Sequence, residues 1–248
     1  MVTLDHLTGS ALSPIRALPR RICLADWIPG AVGDQGLYPL CTAAVVAGLG
    51  RYWANRTAGC SFEPSLLFNY RLSRRIAGKP DRNGSTVRHA LAAWLSYGLV
   101  PEHRWPFTPD RVDVEPPAEV MVEGAALTAV TYGRLDGPEV TGETYLDQVR
   151  HAVARGLPTT IDFPLGASLL ESLRSGVLTV PPDGEPVLGR HAVLVVGYDD
   201  DRGALRFRNN WGENWGDRGY GWMPYAFVRR GIARDSWVVL ESPWQRPA

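Results

Sequence analysis

The chain has 248 residues, 45% of them hydrophobic, and its 26 Lys and Arg balance 26 Asp and Glu. This length and hydrophobic content suffice for one large compact unit or two lobes that share a core. A net charge of zero gives no electrostatic reason to expect nucleic acid or an anionic membrane as a partner. No run approaches the roughly 18 apolar residues of a membrane span, and residues 1–21 lack the apolar core of a secretory signal.

The first half of the chain is predicted to be mainly helical. Residues 1–21 are polar and interrupted by proline, which indicates an extended arm. A loop over 34–39 precedes a helix over 42–56, which is apolar nearly all round and is therefore predicted to be buried. Gly48 and Gly50 lower the stability of this helix, which indicates that another element packs closely there.

Two more helices and a long connection complete the first half. One helix fits residues 64–78, with Pro64 in the first turn where proline is tolerated. The other fits residues 87–98, because Ser85 and Thr86 can cap its start. The proline-rich stretch 101–117 is interpreted as a linker or a long crossing loop.

The second half is predicted to be mainly β. An amphipathic helix over 144–156 interrupts it, with Tyr145, Val149 and Val153 on one face. A turn rich in Asp at 199–203 indicates a hairpin. The strand-like runs are 124–135, 158–163, 191–198, 204–210 and 236–242.

The segregation of helices and strands indicates an α+β fold with two lobes rather than alternating βαβ units. We predict an N-terminal arm over 1–21, a helical lobe over 22–117 and a β lobe over 118–248. The two lobes are expected to form one functional unit.

The three cysteines, Cys23, Cys41 and Cys60, are an odd and sparse set. Such a count argues against a disulfide framework and favours a reducing compartment, so we expect a cytoplasmic protein. We expect neither a metal nor an organic cofactor. No Cys/His pair has the spacing of metal ligands, and no glycine-rich phosphate loop follows a predicted strand.

Cys41 is the first candidate for chemistry because it directly precedes the predicted helix over 42–56. The free N–H groups and partial positive charge at a helix N-terminus favour a thiolate. Of the five histidines, His191 is the best proton-transfer partner, since it heads an apolar run and would be fixed at the start of a buried strand. Taken alone, a free cysteine or a histidine at a strand edge is usually structural.

Asn209 and Gln35 complete the set of candidate residues. Asn209 can orient an imidazole with its side-chain amide, and Trp211 and Trp215 behind it could shield that hydrogen bond from water. Gln35 precedes Cys41 by six residues and can point an amide N–H at a developing oxyanion, beside a backbone N–H. Together and in this order, the candidate residues indicate nucleophilic acyl transfer.

The local motifs around these residues resemble those of the papain family of cysteine peptidases. The segment DQGLYPLCTAA resembles the family's Gln-Gly…Cys segment, especially in its bacterial branch, and the long run from HAVLVVGY to NNWGENWG is similar to its His–Asn half. His191 follows Cys41 by 150 residues and Asn209 follows it by 168, which fits the family spacing loosely. The resemblance covers residues 22 to 240, almost the whole chain.

The resemblance implies a fold and a division of roles. The fold would have a helical lobe and an antiparallel, barrel-like β lobe, with the site in the cleft between them. Cys41 would be the nucleophile and His191 the general base and then the general acid. Asn209 would orient the imidazole, and Gln35 would donate to the oxyanion.

The resemblance also implies where a peptide substrate binds. Trp211 matches the tryptophan that covers the Asn–His pair. Gly84 and Ser85 match the stretch that hydrogen-bonds the extended substrate backbone, where the family more often has two glycines. The expected partner is therefore a peptide or amide substrate, with no nucleic acid and no membrane.

The sequence departs from the family pattern close to the candidate residues. Pro39 and Leu40 stand where this branch usually has Gly-Ser, and we expect Leu40 to add bulk to the wall beside the leaving group. Arg190 precedes His191 where small or acidic residues are common. It is expected either to lower the pKa of His191 or to bind an anionic group of the substrate.

We expect an enzyme without a propeptide, because only residues 1–21 precede the part that resembles the mature domain. The leading interpretation is therefore a hydrolase of narrow specificity that acts on peptide or amide bonds through an acyl-Cys41 intermediate. An alternative is a cysteine-dependent acyltransferase or amide-forming enzyme, whose donor could be an acyl-thioester on a carrier protein. A second alternative is a non-catalytic binding module, against which the intact set of four candidate residues argues.

Overall fold

A computed structural model describes residues 17–80, 83–128, 131–172 and 175–245. Most of the arm predicted over 1–21 lies outside these residues. The described chain forms two compact units, each assembled from more than one stretch of sequence. The β unit comprises 17–26, Gly30–Asp34 and Gly133–Leu240. The helical unit comprises Trp27–Pro29, Gln35–Tyr132 and 241–245. The lobe boundary that we placed at 117 stays a prediction.

Four α-helices make up most of the helical unit, and they are α1 (Cys41–Ala58), α2 (Leu66–Ile76), α3 (Val87–Tyr97) and α4 (Ala118–Gly124). Helix α2 begins later than predicted because Ser65 caps it, its Oγ accepting the N–H of Phe68. Thr86 caps α3 in the same way, as expected from the sequence. The close approach predicted at Gly50 is confirmed, since a Cβ there would lie 2.9 Å from a methyl carbon of Leu99.

The stretch 101–117 is packed against the helices, which corrects its interpretation as a linker. It contains the 3₁₀ helices Glu102–Arg104 and Pro109–Arg111, and it buries Trp105 and Val112 in the core of the helical unit. Buried aromatic and β-branched side chains anchor the segment, which agrees with the other alternative, a long crossing loop.

The strand predicted over 124–135 is wrong in its first part. Helix α4 runs on into the 3₁₀ helix Ala125–Leu127, and β2 occupies only Thr131–Arg134. Gly98 packs directly against the backbone of Gly124, leaving no room for a Cβ on Gly98. Gly124, which we had placed in a strand, therefore allows a close contact between α3 and α4.

An antiparallel sheet is the main element of the β unit. Its strands are β1 (Arg21–Cys23), β2 (Thr131–Arg134), β3 (Thr159–Leu165), β4 (Gly189–Asp199), β5 (Ala204–Arg208), β6 (Tyr220–Pro224) and β7 (Trp237–Glu241). They hydrogen-bond in the order β2-β7-β3-β4-β5-β6, and β1 pairs with β4. The α+β class is confirmed, although the strands of the described chain form an open sheet rather than a closed barrel.

Three helices accompany the sheet: α5 (Gly142–Ala154), α6 (Ala167–Ser172) and α7 (Ala226–Arg229). Tyr145, Val149 and Val153 of α5 are all buried, which confirms the predicted apolar face. The hairpin predicted at 199–203 joins β4 to β5. Strands β1 and β6 were not predicted, although exposure alternates along both of them. Each is short, with three and five residues. Within the described ranges, no helix is long and apolar enough to cross a membrane.

Strand β4 carries one candidate residue and organises its surroundings. From His191 to Tyr198 every residue is buried, as predicted for the apolar run. In the antiparallel register with β3, His191 lies opposite Phe163, and Arg190 lies opposite Pro164. The sheet therefore fixes which side chains flank the imidazole.

Candidate active site

Cys41 is the first residue of α1, and its side chain is partly exposed. The N-cap residue, Leu40, has no side-chain acceptor for the N–H groups of the first helical turn. A helix N-terminus carries a partial positive charge, and a cysteine at that position is favoured as a thiolate.

The loop before α1 holds Gln35 in place. Gln35 is 8% exposed, and one N–H of its Nε2 donates to the carbonyl oxygen of Tyr38 over 2.7 Å. The amide of Leu40 donates to the same carbonyl over 2.8 Å and so closes a tight turn around Pro39. The centre of such a turn needs no N–H and favours the φ of proline, so the departure at Pro39 suits the local backbone. The carbonyl of Tyr38 takes only one of the two N–H groups of Gln35 Nε2.

Leu40 does not line the site, contrary to our expectation. Its side chain is fully buried and packs in the core of the helical unit with Leu67 and Phe68. Burial of this apolar side chain stabilises the fold. The comparison of Leu40 with the smaller residue usual at this position did not reveal that burial.

His191 and Asn209 meet in the β unit. His191 Nε2 lies 2.8 Å from Asn209 Oδ1, and the two residues are 3% and 4% exposed. An amide oxygen can only accept, so Nε2 carries the hydrogen of this bond. The neutral imidazole therefore keeps its lone pair on Nδ1, which is the nitrogen left to act as a base.

Aromatic rings enclose the imidazole of His191. The ring of Trp211 stacks on it, with centroids 4.3 Å apart and planes 22° apart. Trp215 meets Trp211 nearly at a right angle, with centroids 5.8 Å apart. Phe163 approaches the imidazole from β3, with centroids 5.7 Å apart and planes 82° apart. The His191–Asn209 hydrogen bond thus lies among apolar surfaces, where a hydrogen bond is stronger than in water.

Burial also sets the basicity of His191. Loss of solvation lowers its pKa from 6.5 to about 4, and the hydrogen bond that Nε2–H donates to Asn209 only partly opposes this. The imidazole is therefore neutral at pH 7 within this unit, which is the form that can accept a proton.

The segment after β5 is tied down by backbone and side-chain hydrogen bonds. The amide of Asn209 donates to the carbonyl of Gly219 over 2.9 Å. The side chain of Asn210 is buried and donates to the carbonyl of Ala192, next to His191, over 3.1 Å. Asn210 thus links the Asn209 segment to β4. No signal in a single sequence points to such a bond.

Arg190 is half-exposed, and its guanidinium is paired with the carboxylate of Asp162 on the neighbouring strand. Burial raises the pKa of Asp162 to about 6, and the charge of Arg190 opposes that rise. The low pKa of His191 has burial as its main cause. The anion-binding role that we considered for Arg190 stays a prediction.

Gly84 and Ser85 precede α3. Gly84 has φ +82°, a conformation that side chains rarely adopt, and its N–H donates to the hydroxyl of Tyr70 over 3.1 Å. Tyr70 is fully buried, so it anchors the turn. Because that N–H is engaged, the backbone of Ser85 is the better candidate for contact with a substrate.

Comparisons with known proteins agree with this fold and chemistry. The model of the family described as papain family cysteine protease matches residues 75–239. An uncharacterised peptidase C1-like protein of Acanthamoeba polyphaga mimivirus is 30% identical over 217 residues, covering 84% of this chain and 69% of that protein. The thiol protease aleurain of Arabidopsis thaliana is 38% identical over 90 residues, covering 35% of this chain and only 25% of aleurain.

Among solved structures, the fold is similar to that of xylellain, a cysteine protease from Xylella fastidiosa. The TM-score is 0.81 at 28% identity, and the match covers 92% of this chain and 90% of xylellain. The fold and the matches define the class as a cysteine peptidase-like hydrolase. The chain belongs to the papain family of cysteine proteases.

Proposed function

We propose that the chain hydrolyses peptide or amide bonds through an acyl-Cys41 intermediate. Cys41 would be the nucleophile, His191 the general base and acid, Asn209 the residue that orients the imidazole, and Gln35 an oxyanion donor. The observation that carries the proposal is the buried hydrogen bond from His191 Nε2 to Asn209 Oδ1 beneath Trp211.

That hydrogen bond supports the proposal because it selects one tautomer and one ring orientation. Any buried histidine needs an acceptor for its N–H. Here the acceptor is placed so that the lone pair stays on Nδ1 in a fixed orientation, as a general base requires. The position of Cys41 at the start of an 18-residue helix adds support, since that helix end favours a thiolate.

The chemistry then proceeds in two halves. His191 Nδ1 takes the proton of the Cys41 thiol, and the resulting thiolate attacks the carbonyl carbon to form a C–S bond. The oxyanion accepts hydrogen bonds from Gln35 Nε2–H and the backbone N–H of Cys41. The C–N bond breaks as His191 Nδ1–H gives its proton to the leaving amine. Water then attacks the thioester while Nδ1 takes its proton, the C–S bond breaks, and the carboxylate product leaves.

We also propose a narrow substrate range in which Arg190 takes part. Its guanidinium stands one residue from His191, is half-exposed and is held by Asp162. Arg190 and Arg230 also line one cavity of about 320 Å³ in the β unit. A guanidinium held by one carboxylate keeps N–H donors for a second, so a substrate with an acidic group suits this position.

Intact-mass measurement of the protein during turnover tests the proposal. Peptides, esters and carrier-bound thioesters are offered in turn, and an acyl adduct is expected on Cys41. Added amines show whether water or an amine releases the acyl group, which separates hydrolysis from acyl transfer. Cys41→Ala should abolish the adduct and turnover, while the matched control Cys60→Ala, at an exposed cysteine, should retain both. Turnover near wild type in Cys41→Ala would rule the proposal out.

A further inference from the structure

Among the described residues, Phe163 is an aromatic neighbour of His191 that the sequence motifs gave no reason to expect. It lies directly across from His191 in the register of β3 and β4. Its side chain is 1% exposed, and its ring stands almost perpendicular to the imidazole, with centroids 5.7 Å apart. On its other side it packs against Phe227, with centroids 6.1 Å apart.

The other contacts of the imidazole do not by themselves fix its position. The hydrogen bond to Asn209 holds one nitrogen, and Trp211 covers the ring by stacking. A ring held at one atom and one face can still tilt and slide, because stacking contacts depend weakly on lateral shifts. The ring of Phe163 stands nearly perpendicular to the imidazole and comes from the neighbouring strand β3, so it adds a contact of different orientation that opposes those movements.

Phe163 also covers one side of the buried imidazole. A smaller side chain at this position would leave a cavity beside the His191 ring, which carries the hydrogen bond to Asn209. A cavity that borders polar atoms admits water more readily than a purely apolar one. A water molecule there would compete for Nε2–H and for Asn209 Oδ1.

We propose that Phe163 is a positioning residue that holds the His191 imidazole against Trp211 and keeps water from the His191–Asn209 hydrogen bond. The proposal rests on the proposed role of His191 as general base. It assigns to Phe163 an effect on catalysis that differs from its contribution to the core of the β unit.

The test compares Phe163→Leu with Phe227→Leu. Both positions are buried, and Phe227 touches Phe163 rather than the imidazole, so the two variants remove similar apolar volume at different distances from His191. Phe163→Leu should lower kcat at least about tenfold with KM within about twofold, because a displaced base slows chemistry and leaves substrate binding intact. Phe227→Leu should keep kcat within about twofold of wild type. Equal kcat values in the two variants would overturn the proposal.

A second measurement does not depend on activity. In the Cys41→Ala background, which prevents self-cleavage, ¹⁵N NMR follows the His191 Nε2–H signal. The signal should persist in Phe227→Leu and should broaden through exchange with water in Phe163→Leu. A signal equally sharp in both variants would contradict the role of Phe163. If instead Cys41→Ala retained turnover, the proposed function would fail, and the NMR comparison would still report on the imidazole.

Discussion

The two units fix their candidate residues in different ways. In the helical unit, Gln35 and Cys41 are positioned by one short stretch of chain, through a turn closed by the carbonyl of Tyr38 and the start of α1. In the β unit, His191 and Asn209 are 18 residues apart in sequence, and Phe163 reaches them from a third segment. The position of the nucleophile half, Gln35 and Cys41, is set by residues that are close in sequence. The position of the base half, His191 and Asn209, depends on tertiary structure.

This difference indicates which sequence changes would disturb each half. A local turn depends on backbone conformation, so a change that alters φ or removes a hydrogen bond acts directly on Gln35. A packed imidazole depends on the volume and polarity of its neighbours, so changes in distant segments reach it through contacts. The base half should therefore be perturbed from more positions than the nucleophile half.

The largest effect is expected from removing the imidazole itself. His191→Ala should lower kcat/KM by about 10³-fold or more, because both proton transfers lose their carrier. His103→Ala, on the surface of the helical unit, is the matched control and should have little effect. A loss of less than about tenfold in His191→Ala would mean that His191 does not act as the general base.

The low pKa of His191 predicts how stability depends on pH. The unfolded chain binds a proton at His191 below pH 6.5, whereas the folded unit does so only below about pH 4. Lowering the pH through this window therefore favours unfolding, by up to about 3 kcal/mol from this group. Asp162, with its pKa raised to about 6, acts in the opposite direction.

Urea unfolding of the wild type and His191→Gln isolates the contribution of the imidazole. The free energy of unfolding of the wild type should fall more steeply between pH 6.5 and pH 4 than that of the variant. Parallel curves over this window would mean that the imidazole titrates normally in the folded protein.

Removing the side-chain amide of Gln35, the proposed oxyanion donor, tests the nucleophile half. Gln35→Ala should lower kcat by about 10²-fold while KM changes little, because its second N–H is used only when negative charge develops on the carbonyl oxygen. Gln148→Ala, on α5, serves as the control for loss of an amide. An unchanged kcat would mean that Gln35 does not stabilise the oxyanion.

The smallest effect is expected at Arg190. Arg190→Met should raise KM several-fold for peptides with an acidic residue near the scissile bond and leave KM for their amide counterparts nearly unchanged. Arg230 lines the same cavity but is not next to His191 in sequence, so Arg230→Met is the control. The difference between the two variants gives the effect that is specific to Arg190. A uniform change for both peptide series would assign Arg190 a structural role.

The sequence predicted the parts of this protein that local patterns encode. The all-round apolar character of α1, the apolar face of α5, the cap at Thr86 and the apolar run of β4 follow from residues that are neighbours in the chain. The candidate residues Cys41 and His191 were found because each stands at the start of such an element.

The remaining features depend on contacts between distant segments. Phe163 faces His191 through strand register, and Asn210 reaches the carbonyl of Ala192 across the sheet. Leu40 was misassigned because its burial depends on Leu67 and Phe68, which belong to another helix. A single sequence contains no direct record of register or of helix packing.

The central claim is that His191 activates Cys41, and alkylation of the cysteines tests it most directly. Cys23 and Cys60 are exposed, whereas Cys41 is only partly exposed, so access alone favours the first two. Peptide mapping after brief treatment with iodoacetamide near neutral pH should nevertheless find Cys41 labelled well before the others. In His191→Ala that advantage should disappear. Equal rates in the wild type, or an advantage that survives in His191→Ala, would contradict the account.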